Sequence, residues 1–158
     1  MKKILIIICL ISFSVICFGY AEVEQTSENI GSPFIKRFIT TQDAQWLCEV
    51  FMMKLIEDEV SGAFGLLKPY SSVPEAEFMN FQAQTMKLIE SIKPDFGKML
   101  GYTLIREEVV GNTMLKFTYL QKFEKHAFRW MFYFYKPEDE WLFNEFSVDN
   151  KLRELFGD

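Results

Sequence analysis

From residue 41 onward, apolar side chains recur at helical spacing. Ala44, Leu47, Cys48, Phe51 and Leu55 fall on one face, and Trp46, Val50 and Met53 widen that stripe. Thr41 reads as the N-cap, with Asp43 in the first turn. Ser61 to Lys68 predicts a short second helix carrying Phe64, Leu66 and Leu67, stopped by Pro69. Ser72 and Pro74 open a third helix running to Lys93, with Phe78, Phe81, Thr85, Leu88, Ile89 and Ile92 inward. Lys93-Pro94 ends it, because a residue before proline is pushed out of the helical region. After Gly97 the period changes to two. Tyr102–Val110, Thr113–Phe123, Ala127–Tyr135 and Trp141–Val148 read as strands. The turns between them are short, at Gly111-Asn112, Glu124-Lys125 and Lys136 to Asp139, so the strands are antiparallel neighbours. Lys151–Phe156 reads as a last helical turn. The pattern defines an α+β domain over residues 41–158, with N-terminal helices packed on a four-stranded antiparallel sheet.

The second hairpin separates the two sheet faces. A two-residue turn at Glu124-Lys125 places Gln121 opposite Phe128, Tyr119 opposite Trp130, Phe117 opposite Phe132 and Leu115 opposite Phe134. That face is aromatic and belongs against the helices. The other face, with Lys116, Thr118, Met131 and Tyr133, is amphipathic. A four-residue loop to the last strand sets Phe134 against Trp141, Phe132 against Phe143, Trp130 against Glu145 and Phe128 against Ser147. The inner face then gathers Gln121, His126, Glu145 and Ser147 at one end, beside Tyr119 and Trp130. An unpaired carboxylate in such a setting costs several kcal/mol or takes up a proton, so the cluster needs partners, water or a ligand. Tyr119, Gln121, His126, Trp130, Glu145 and Ser147 are therefore the candidate ligand-binding residues. The alternative is that His126 and Glu145 sit at the rim in water and do nothing. The acids of the first strand, Glu107 and Glu108, point to opposite faces, and its register stays open.

Composition narrows the class. The chain has 158 residues, 49% hydrophobic, 16% aromatic and 25% charged, with a formal net charge of −5. That excludes a long disordered protein, a collagen-like repeat and a multi-pass membrane protein. Lys2 and Lys3, the apolar run Ile4 to Ile16, and Gly19-Tyr20-Ala21 have the layout of a cleaved secretory signal over residues 1–21. The alternative is an uncleaved anchor formed by residues 4–21. Either way the remainder is expected to be exported, periplasmic or secreted, and to meet the membrane only through that segment. Ile16 argues against lipid attachment at Cys17. Residues 22–40, rich in Glu, Gln, Ser and Asn, read as a flexible leader, although Phe34, Ile35, Phe38 and Ile39 could pack on the domain.

Loss of residues 1–21 removes two lysines and no acid, making the chain two units more negative. An acidic domain repels phosphate backbones, so no nucleic-acid partner is expected. Cys48 becomes the sole cysteine, and its place in the helical stripe reads as a buried core thiol. One histidine and one mature cysteine do not build the usual zinc clusters, and the acidic triplets lack calcium-loop spacing. No metal and no cofactor is implied.

The helices-first order, Gly101-Tyr102 entering the first strand, Glu108-Val109-Val110-Gly111-Asn112 at the first turn, and Trp130 to Lys136 running into Trp141 and Phe146 resemble the nuclear transport factor 2-like fold, which includes ketosteroid isomerases and scytalone dehydratase. The resemblance covers about residues 41–149. It implies a cone with a curved sheet, an apolar pocket between sheet and helices, and a homodimer through the outer sheet face. Met114, Met131, Tyr133 and Tyr135 suit that face. The catalytic groups of the family's enzymes find no position-by-position match in this chain, and fold alone does not transfer function. A cystatin-like or other helix-on-sheet fold is the alternative. The sequence thus points to an exported non-enzymatic binding module for an apolar small molecule or a protein partner. The alternative is a lyase- or isomerase-type enzyme using His126 and Glu145 as an acid–base pair, with Tyr119 as donor.

Overall fold

In the computed structural model, which describes residues 35–157, three helices precede a four-stranded antiparallel meander. The expected signal, the anchor alternative and the leader up to residue 34 lie outside the described residues. Helix α1 spans Thr41–Ile56, α2 Val60–Leu67 and α3 Glu75–Phe96; strands are β1 Met99–Val110, β2 Met114–Phe123, β3 Ala127–Tyr135 and β4 Leu142–Asp149. Short 3-10 turns cover Lys68–Tyr70 and Leu152–Phe156. The α+β architecture read from the pattern is the one observed.

Helix α1 begins one residue earlier than its sequence signal. Thr40 is the N-cap, and Thr40 and Asp43 exchange side-chain-to-backbone bonds in a reciprocal capping box. Ala44, Leu47, Cys48, Phe51 and Leu55 are buried as expected, joined by Met52. Trp46 and Met53 are not: they remain 61% and 46% exposed on the far side of the helix. The covering layer is one helix deep there, so only one stripe of α1 meets the sheet.

Helix α3 runs through Lys93-Pro94 for one more turn. Proline forgoes a backbone bond there, but Phe96 anchors the turn by stacking on His126 at 4.5 Å and on Phe128 at 5.0 Å. Gly97, with φ 78°, then ends the helix. The positive φ favours glycine here, and a Cβ at Gly97 would also stand 2.5 Å from Glu124 Oε2 and displace that side chain. Phe81, expected inward, is 39% exposed.

The β2–β3 register is the one the alternating pattern dictates. Gly111 and Asn112 both take positive φ, and the Thr113 N–H donates to the Val110 carbonyl, giving a primed-type turn that matches strand twist. Strand β1 starts at Met99, earlier than expected, with irregularities between Met99 and Gly101 and between Leu104 and Arg106. Strand β4 departs from expectation. Phe134 faces Phe143, and the register then shifts at Asn144, so Tyr133 faces Glu145, Phe132 faces Phe146 and Met131 faces Ser147. The bulge sends Phe146 inward and Glu145 outward.

The core lies between the helices and the aromatic sheet face. The Phe51 ring meets Phe64, Trp130 and Phe132 edge-on at 5.3–5.5 Å, and Phe146 closes over Phe64 at 5.4 Å. The domain also begins before residue 41. Phe38 is buried, stacks on Tyr70 at 4.5 Å, and pairs antiparallel with Trp141. Ile39 points into solvent. On the outer face, the C-terminal turn contacts β3: Arg129 binds Asp149 and Glu154, and Arg106 reaches the Leu155 carbonyl.

Candidate functional site

Only part of the expected polar cluster comes together. Tyr119, Gln121 and Trp130 share the buried inner face. The Trp130 indole donates to Gln121 Oε1 at 2.8 Å, and Gln121 Nε2 reaches the Met99 sulfur at 3.4 Å. These polar groups satisfy one another within the protein. His126 is exposed at the strand entrance, stacked on Phe96, and its Nδ1 accepts from the Ala127 N–H at 2.7 Å. Glu145 and Ser147 lie on the opposite sheet face, because the bulge at Asn144 reverses the parity assumed for β4. His126 and Glu145 therefore do not form a pair.

Tyr119 is the exception to internal satisfaction. Its ring is fully buried, 5.9 Å from Tyr102, and its hydroxyl has no hydrogen-bond partner. Burial pushes the phenol far above its usual range, with the nearby Cys48 and Glu49 adding to the effect. Cys48 is shifted well upward for the same first reason, burial, and secondly by Glu49. Both groups stay neutral, so neither is poised as a base or nucleophile at neutral pH.

The space expected between sheet and helices is filled by Phe51, Phe64, Trp130, Phe132 and Phe146. Several open clefts remain among the described residues, including one of about 370 Å³ between α3 and β4 where Phe81, Thr85 and Ser147 meet; the most apolar of them, about 340 Å³, lies at the end where Gln121 and Phe123 lie. Ile56 from the end of α1, Met99 from the start of β1 and Phe123 from the end of β2 form its apolar lining. Asp58, Lys93, Gly97 and Lys98 complete it. The site is assembled from element termini, which is why no local sequence signal marked it.

Four contacts hold the cleft in shape. Lys93 Nζ donates to both carboxylate oxygens of Asp58, at 2.7 and 2.8 Å, tying α3 to the α1–α2 turn. Asp58 takes a left-handed φ of 63°, a conformation aspartate tolerates better than most residues. Glu124 Oε2 accepts from the Lys98 N–H at 3.1 Å, while the Glu124 and Lys125 N–H groups donate to the Lys98 and Phe96 carbonyls. The α3–β1 junction is thus stitched to the β2–β3 turn.

A second surface lies on the outer face. Val110, Met114, Tyr135 and Leu142 are successive cross-strand partners and form one row over all four strands. Val110 is 69% exposed, and Met114 and Tyr135 are also exposed. Tyr133, in the next row, is half-buried, and Met131 is buried, so Met131 offers no surface to a partner. Among the described residues, no group of three or more His, Cys, Asp or Glu side chains is placed to hold a metal ion. No family model, curated protein or solved structure matches the chain.

Proposed function

We propose that this chain is a non-enzymatic binding module that takes an apolar small molecule in the cleft between Ile56, Met99 and Phe123. One observation carries the reading. The interior is packed with rings, while this opening combines an apolar lining with charged groups at its edge, at the low end of the about 300–1,000 Å³ typical of small-molecule sites. Gln121 and Trp130, expected as ligand residues, act here as the braced wall behind Met99. The lyase or isomerase alternative loses support, since its acid and base sit on opposite faces. The three-helix, four-strand order supports the nuclear transport factor 2-like reading, which stays part of this proposal, as does export. The test is native mass spectrometry of the purified protein with a panel of apolar compounds, repeated on Met99→Asp. One-to-one adducts that Met99→Asp abolishes support the cleft; adducts unchanged by that substitution, or none at all, refute it.

A second reading, a protein partner or second copy on the outer face, is favoured by the Val110–Met114–Tyr135–Leu142 row. Analytical ultracentrifugation of the protein and of Met114→Lys/Tyr135→Lys tests it. A dimer that the double substitution dissociates supports a self-association surface, and a monomer at all concentrations removes that form of it.

A further inference from the structure

We infer that the cleft selects amphiphiles with an anionic head group, a free monomeric carboxylate being its occupant. The inference rests on the small-molecule reading above and adds the ligand's charge. The cleft edge carries three charged side chains, Asp58, Lys93 and Lys98. Lys93 and Asp58 neutralise each other through a two-pronged pair. Glu124 on the facing turn accepts from the Lys98 backbone N–H, which fixes its position and leaves its charge in place, and it is not part of the cleft lining. The Lys98 ammonium makes no ion pair among the described residues, so the cleft lining itself carries one unpaired positive charge.

An apolar chain lying over Ile56, Met99 and Phe123 would place a terminal carboxylate at Lys98. A cationic head group would meet that same ammonium, with Asp58 already occupied by Lys93. The geometry discriminates by charge while the apolar lining supplies affinity without regard to it. The occupant is one short chain, because the opening is at the small end for a ligand site and a lipid with two acyl chains exceeds it.

The experiment is isothermal titration calorimetry with decanoate and with decyltrimethylammonium, both below their micelle concentrations. It uses the unaltered protein, Lys98→Glu, and Lys87→Glu as a charge-matched control on the exposed side of α3. Decanoate should bind one-to-one and the ammonium amphiphile not; Lys98→Glu should weaken decanoate by at least about tenfold and Lys87→Glu leave it unchanged. Equal binding of both amphiphiles, or indifference to Lys98→Glu, overturns the head-group inference and leaves the apolar cleft standing. Binding of neither overturns both. Sedimentation with phosphatidylglycerol vesicles separates the sources, and capture by vesicles without binding of monomeric decanoate also overturns the inference.

Discussion

The indole nitrogen of Trp130 and the side-chain carbonyl of Gln121 meet at 2.8 Å inside an aromatic core, diagonally across the β2–β3 ladder. Gln121 also turns its amide onto Met99, so one side chain ties the core to the wall of the cleft. Gln121→Leu leaves the Trp130 N–H buried and unpaired. It should lower unfolding free energy by about 1–3 kcal/mol in urea titrations. In a double-mutant cycle with Trp130→Phe, the combined loss should be smaller than the sum of the two single losses; strict additivity of the two changes would contradict the bond.

Tyr119 makes the opposite prediction. Its hydroxyl is buried without a partner, so Tyr119→Phe removes a polar atom that gains nothing from its site. The variant should be as stable as the parent or more stable, by up to about 1 kcal/mol. A loss of more than about 1 kcal/mol would mean the hydroxyl is bonded.

Ring packing separates two aromatic residues that the helical pattern treats alike. Phe51 is enclosed by Phe64, Trp130 and Phe132, and Phe51→Ala should cost about 3–5 kcal/mol. Trp46, exposed on the other side of α1, should tolerate alanine within about 0.5 kcal/mol. Thermal denaturation of the two variants measures the contrast.

Acid should loosen the C-terminal turn. Burial alone would raise the Asp149 carboxyl, but the hydrogen bonds from Arg129 and from the Lys151 N–H outweigh it and hold the group below its ordinary value. A carboxyl that titrates lower in the folded state stabilises fully above its unfolded value, near about pH 4, and that contribution is lost as pH falls through the folded value. Urea midpoints of the parent should therefore fall more steeply than those of Asp149→Asn below about pH 4. Equal slopes would exclude the linkage. The partner guanidinium stays charged throughout.

Cys48 should resist thiol reagents. It is fully buried and its thiol is pushed upward by burial. With dithionitrobenzoate, its labelling should track global unfolding as urea is added; fast labelling of the folded protein would place the thiol at the surface instead.

What could be read in advance divides along a physical line. The β2–β3 hairpin was legible residue by residue, because a two-residue turn and strict alternation leave one register that buries the rings. Strand β4 was not, because a single bulged residue, Asn144, reverses parity without any glycine or proline to announce it. That shift removed Glu145 and Ser147 from the expected site. The extra turn of α3 past Pro94 was hidden for a related reason: stacking of Phe96 on residues some thirty positions later outweighs a local breaker. The cleft was illegible altogether, since Ile56, Met99 and Phe123 belong to different element ends that only the folded chain unites.

The pairing of Phe38 with Trp141 matters for how the sheet's borders are guarded. Together with the bridge from Ser71 to Phe143, it occupies backbone groups at the start of β4 that would otherwise stand ready for a foreign strand, whereas β1 is interrupted only by its own irregularities. A fragment cut at Thr41, where the helical pattern begins, would lose one of those two plugs and the stacked Phe38–Tyr70 pair beneath it. Such a truncated chain would leave the start of β4 guarded by the Ser71 bridge alone, so any recombinant boundary belongs ahead of Ile35.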